Sequence, residues 1–126
     1  MSGKVVHFEV PVDDVDRATF FYVEAFGWQL ASMPGMGYTM ITTTPTDEQG
    51  RPAEPGAING GMFVREADLT TPMITIDVAD LDAALAKVEE LGGSVVRPKF
   101  PVGDMGFAGY FRDSEGNLLG LWQSAT

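Results

Sequence analysis

His7 is the single histidine of the 126-residue chain, and Glu9 stands two positions further on. In an extended strand, residues two apart point to the same face. An imidazole and a carboxylate sharing a face can move a proton, hold one another in a single tautomer, or supply two ligands to a divalent metal. Imidazole titrates at about 6.5 when unperturbed, so His7 suits general acid or base work; it equally suits a neutral histidine hydrogen-bonded in a cavity wall. Two donors fall short of the three protein ligands that a catalytic divalent site ordinarily has. The chain has no cysteine, which removes thiolate ligands, thiol nucleophiles and disulfides together.

Periodicity gives the strands and helices around this pair. Val5–Val12 alternates and is rich in valine and phenylalanine, which reads as a strand. Asp13, Asp14 and Asp16 are helix-start signals. Val15, Ala18, Tyr22 and Ala25 follow at helical spacing, with Phe21 and Phe26 alongside, and Gly27 ends the helix. Residues 28–31 and 38–43 read as short strands, 44–56 as a proline-containing loop and 57–65 as a strand. The same order then recurs. His7-Phe8-Glu9-Val10 aligns with Met73-Ile74-Thr75-Ile76, and Val12/Val78, Asp14/Asp80, Asp16/Asp82, Ala18/Ala84 and Gly27/Gly93 are identical pairs. A repeat decides architecture ahead of any motif. In the second copy, 72–78 is a strand and Asp80 caps a helix with the stripe Leu81, Leu85, Val88 and Leu91. Residues 94–96 are a short strand, 97–106 a Pro/Gly loop, and 107–112 and 117–123 a hairpin around Asp113-Ser114-Glu115-Gly116. The expected class is α+β: a single domain of two βαβββ modules, 4–65 and 72–124, joined by a linker at 66–71.

Strand parity extends the candidate site. With His7 and Glu9 facing inward, Phe8 and Val10 face the helix. In the second copy Met73, Thr75 and Asp77 take the inward positions, Gly120 and Trp122 share a side, and the 113–117 loop pairs Tyr110 with Gly120. Tyr38, Gly61 and Phe63 complete the set expected to line a ligand cavity. Their aromatic rings offer broad apolar faces with polar tips.

Eighteen carboxylates against eight Lys and Arg give a net charge of −10, which argues against a nucleic-acid partner and favours a cationic ligand. No apolar run approaches membrane-spanning length. The N-terminus runs straight into a strand, leaving no room for a signal peptide, so the expected location is cytoplasmic.

The motifs Val-Val-His-Phe-Glu at 5–9, Phe-Tyr at 21–22, Phe-Gly-Trp at 26–28 and Asn-Gly-Gly-Met at 59–62 resemble the glyoxalase/bleomycin-resistance/dioxygenase group, the vicinal oxygen chelate superfamily. Gly-Gly at 92–93, Phe-Arg-Asp-Ser-Glu-Gly-Asn at 111–117 and Gly-Leu-Trp-Gln at 120–123 extend the likeness over nearly the whole chain, closest to glyoxalase-like, lactoylglutathione-lyase-related bacterial proteins. The resemblance implies curled mixed sheets around a cavity, helices outside, and a homodimer. It also implies metal ligands on the first and last strand of each module. Carried over one position at a time, these fall on His7, Met73, Gly120 and Gly61 (or Gly60). One of the four can ligate well, because methionine is a soft thioether and glycine has no side chain. The expectation is therefore a metal-independent binder of a small organic molecule, cationic or aromatic, with no cofactor. The alternative is a lyase- or isomerase-type enzyme using His7 and Glu9 for proton transfer, with or without a weakly held divalent metal.

Overall fold

The computed structural model describes residues 3–125. They form an α+β fold of two βαβββ units, one spanning His7–Pro72 and the other running from Met73 onward together with the residues up to Val6.

In the first unit, strand β1 (Val5–Val12) leads into helix α1 (Val15–Phe26), followed by β2 (Gln29–Met33), β3 (Tyr38–Thr42) and β4 (Gly60–Val64). The sheet order is β2-β3-β4-β1, with β1 and β4 parallel and the other pairs antiparallel. Asp14 is the N-cap of α1: its carboxylate accepts from the Arg17 N–H at 3.0 Å, satisfying one orphan donor of the first turn. Gly27 closes the helix at φ 73°, the left-handed conformation that glycine adopts without strain. Val12, Ile41 and Met62 form the core, and Phe8, Val10, Val15, Ala18 and Tyr22 pack on it from β1 and α1. Tyr22 stacks on Trp28 with centroids 4.8 Å apart. The helix is less buried than its pattern suggests. Ala25 is exposed, and Phe20, Phe21 and Phe26 are 70%, 56% and 64% exposed, because only the Val15-Ala18-Tyr22 edge meets the sheet.

In the second unit the order is β5 (Met73–Asp77), α2 (Leu81–Glu90), β6 (Ser94–Val102), β7 (Gly106–Arg112) and β8 (Leu118–Ser124), arranged as β5-β8-β7-β6 with β5 and β8 parallel. Asp80 accepts from the Ala83 N–H, and the Gln123 side chain accepts from the Leu81 N–H at 2.8 Å, a second cap that comes from another strand. Leu81, Leu85, Phe111 and Leu121 make the core, with Val88 packed against it. Leu91 lies past the helix end and is exposed, so it drops out of the expected stripe. Asp113 closes the β7–β8 turn by accepting from the N–H groups of Glu115 and Asn117.

One expected loop is a strand. β6 continues from Ser94 through Val102 despite Pro98 and Pro101, with two register shifts against β7. It lies at the end of its sheet order, where an outward N–H needs no partner and proline is tolerated. In the first unit the opposite correction applies. The strand expected over 57–65 is confined to Gly60–Val64, because the Asn59 side chain leaves the ladder to accept from the N–H groups of Thr43 and Thr44.

Candidate functional site

Each sheet buries one face under its helix and leaves the other helix-free. On β1, Phe8, Val10 and Val12 face α1, so His7 and Glu9 point to the helix-free side. There the Tyr38 side chain of β3 reaches both. Its hydroxyl donates to Glu9 Oε2 at 2.8 Å and lies 2.8 Å from His7 Nε2. A phenol has one proton to give. With that proton committed to Glu9, the phenol oxygen accepts from His7 Nε2–H, leaving Nδ1 unprotonated. The result is an ordered chain, His7 to Tyr38 to Glu9. Glu9 is buried, and Phe63 lies beside Tyr38 with ring centroids 6.3 Å apart.

Burial pushes the His7 pKa down from 6.5 to about 4, so the imidazole is neutral at pH 7. A neighbouring carboxylate would by itself draw a histidine pKa upward, but the phenol stands between the two groups and desolvation prevails.

Gly61 explains how Tyr38 fits. It is the register partner of Glu9, and a Cβ there would collide with the Tyr38 hydroxyl and ring. The glycine therefore makes room for the phenol, and the space that its missing side chain leaves is filled by Tyr38. The second unit repeats the register, with Thr75 opposite Gly120 and Gly120 opposite Tyr110. Gly61 thus corresponds to Gly120, and Gly60 does not. A Cβ on Gly120 would lie 3.0 Å from Thr75 Oγ1 and 3.4 Å from the Tyr110 ring, a tight but much milder contact.

The helix-free side of the second unit carries Met73, Thr75, Tyr110, Gly120 and Trp122, since Ile76, Phe107, Phe111, Leu119 and Leu121 all pack toward α2. Met73, Thr75 and Tyr110 are buried and Trp122 is half-buried. Two residues that the sequence placed in a loop join this face. Phe100 stacks on Tyr110 at 6.1 Å, and the Arg97 guanidinium lies 3.6 Å from the Phe100 centroid. Periodicity could not have placed them: Val95 packs toward α2, and Arg97, two residues on, faces the other side because a register shift intervenes.

The donor set does not fit the divalent site that the resemblance implies. His7 Nε2 is occupied by a proton shared with Tyr38, Glu9 Oε2 accepts the phenol proton, and Gly61, Met73 and Gly120 add no hard ligand. Among the described residues, no three His, Asp or Glu side chains gather as they would around an ion. A shallow depression of about 400 Å³ in the first unit lies on the other side of β1, lined by Arg17, Phe21, Tyr22, Arg65 and Pro72. It contains neither His7 nor Tyr38, and Arg65 there is already paired with Asp13 at 2.8 Å, so it is not the site built by the chain of hydrogen bonds.

Residues 4–44 match the family described as bleomycin resistance protein-like, N-terminal. A glyoxylase-like domain-containing protein of Didymella fabae is 30% identical over 122 residues, covering 93% of this chain and 91% of that protein. CFP32 of Mycobacterium tuberculosis, which its name assigns to the glyoxylases, is 32% identical over 121 residues; the match covers 92% of this chain but 44% of CFP32, so the chain spans less than half of that relative. In fold, the chain is similar to a variant of Streptomyces coelicolor methylmalonyl-CoA epimerase carrying 2-nitronate-propionyl-CoA, with a TM-score of 0.65, 18% identity and complete coverage of both chains. Likeness to a glyoxylase-like protein over 93% of this chain and 91% of that protein, together with the repeated βαβββ unit, shows that the chain belongs to the glyoxalase/bleomycin-resistance/dioxygenase superfamily, in its glyoxylase-like group.

Proposed function

We propose that this protein binds a small organic molecule without a metal. The observation that carries this reading is the Tyr38 hydroxyl, 2.8 Å from both His7 Nε2 and Glu9 Oε2, which satisfies the two groups a metal would need. His7, Glu9, Tyr38, Gly61 and Phe63 on one unit, and Met73, Thr75, Tyr110, Gly120 and Trp122 on the other, are the contact residues in this reading. The aromatic rings favour a ligand with a flat apolar portion. The net charge of −10 favours a cationic group on the molecule. A cytoplasmic homodimer belongs to the same reading, and the exposed Phe20, Phe21 and Phe26 of α1 support the dimer.

Thermal shift with a panel of cationic, neutral and anionic naphthalene derivatives tests it. We expect stabilisation by at least one compound, unchanged by EDTA. Loss of the shift in EDTA, with recovery on adding one equivalent of Zn²⁺ or Ni²⁺, overturns metal independence.

A second reading is favoured by the direction of the hydrogen bonds. An unprotonated Nδ1 linked through Nε2–H and the Tyr38 phenol to Glu9 is a path along which a proton taken at one end is balanced at the other. In that reading the protein is a lyase or isomerase, and His7 and Glu9 are its catalytic residues. It requires deuterium wash-in from D₂O at a carbon next to a substrate carbonyl, and loss of that exchange in Tyr38→Phe.

A further inference from the structure

Arg97 is placed unlike the acid-paired cations of this chain. Arg51, Arg65 and Lys99 each pair with an aspartate. Arg97 makes no ion pair among the described residues, although the chain carries eighteen carboxylates. Its guanidinium lies instead over the Phe100 ring, and Phe100 stacks on buried Tyr110. The register places Arg97 opposite Tyr110, so its side chain belongs to the helix-free face of the second unit. A register shift lies on either side of Arg97, and Pro98 falls within the second. Trp122 lies in the next row, opposite Ala108, which is itself opposite Phe100.

A guanidinium stacked on an aromatic ring keeps its N–H edges directed outward, the geometry that grips a planar oxyanion through two parallel hydrogen bonds. Beside it Phe100, Tyr110 and Trp122 supply flat apolar surface. In a protein of net charge −10, an anionic ligand is repelled unless a local cation receives it. We propose that the helix-free face of the second unit is a binding site for a planar molecule bearing a carboxylate, with Arg97 as the residue that recognises the anion. This goes beyond the metal-independent reading and does not depend on it.

The test uses 1-naphthoate and its neutral isostere 1-naphthamide, titrated calorimetrically into the full chain and into Arg97→Met and Arg97→Lys. Methionine keeps a flexible apolar stem over Phe100, and Arg97 is exposed, so circular dichroism should be unchanged. The expected result is naphthoate binding about tenfold tighter than naphthamide, a preference abolished in Arg97→Met with naphthamide unaffected, and partly kept in Arg97→Lys. Raising the salt should weaken naphthoate alone. Equal affinities for the two compounds in the unmodified protein, a preference that survives Arg97→Met, or no naphthoate binding up to about 10 mM overturns the proposal. None of these outcomes bears on EDTA sensitivity, so the two readings fail separately.

Discussion

The two units repeat one backbone and carry opposite chemistry on it. Glu9 faces Gly61 across a parallel pair, and Thr75 faces Gly120 across the equivalent pair. Yet His7, Glu9 and Tyr38 form a polar chain in the first unit, while in the second the equivalent strand carries Met73 and Thr75, and Tyr110 stacks with Phe100, over which Arg97 lies. The difference shows how a duplicated scaffold diverges. Register and helix packing are held by residues on the core side, leaving the helix-free side to change without loss of fold. The glycines make the point most directly. Gly61 accommodates a phenol that spans two strands, whereas a Cβ added at Gly120 would meet a threonine hydroxyl at 3.0 Å and a ring at 3.4 Å.

The largest expected effect is on pH dependence, and it belongs to the first unit, because Met73 occupies the position equivalent to His7. The His7 pKa is about 4 in the folded protein and 6.5 when unperturbed, so between these values the unfolded chain binds more protons. The stability contributed by neutral His7 is complete above pH 6.5 and is lost as pH falls through 4. It amounts to at most about 3 kcal/mol. Urea midpoints at pH 7 and 4.5, compared between the unmodified protein and His7→Gln, isolate it: the variant should lose the part of the acid sensitivity due to imidazole. Identical pH dependence would break the comparison.

Next in size is the glycine pair. Gly61→Ala must displace Tyr38 and undo both of its hydrogen bonds, which we expect to cost roughly 1–3 kcal/mol. Gly120→Ala needs a shift of a few tenths of an ångström and should cost less than about 1 kcal/mol. Denaturant unfolding of the two variants side by side checks the order, and a larger loss for Gly120→Ala would reverse our account of which face is filled.

Removing only the hydroxyl should have a comparable or smaller effect. Tyr38→Phe leaves buried Glu9 and His7 without their shared partner, at about 1–2 kcal/mol. The readout specific to this role is the His7 imidazole NMR signal, whose Nε2–H should lose its slow exchange with water while the fold is kept.

The smallest expected difference lies between the helix caps. Asp14→Ala and Asp80→Ala each remove one bond to a first-turn N–H, worth about 1 kcal/mol. α2 keeps the Gln123 cap on Leu81 N–H, so its loss should be the lesser of the two by hydrogen exchange in the first turn.

Much of the core-side structure was legible in the chain. Local signals carry strands, caps and turns: valine-rich alternation set Val5–Val12, Asp14 and Asp80 marked both helix starts, and Asp113 to Gly116 marked the hairpin. The 66-residue repeat identified His7 with Met73 and Glu9 with Thr75. Parity put Glu9, Tyr110, Gly120 and Trp122 on their helix-free faces, because side-chain direction alternates strictly along a strand. What composition and spacing could not carry was contact between distant strands. Tyr38 lies 31 residues from His7, and nothing local to either requires their hydroxyl–imidazole bond. The depressed His7 pKa depends on burial by residues remote in sequence. From Arg97 on, β6 reads as a loop because of its prolines, and only its place at the sheet edge lets it pair, bulge and bring Arg97 over Phe100. Composition and spacing dictate which residues each face offers; strand pairing selects which of them meet, because hydrogen bonds and ring stacks across strands depend on registers that a one-residue slip would change.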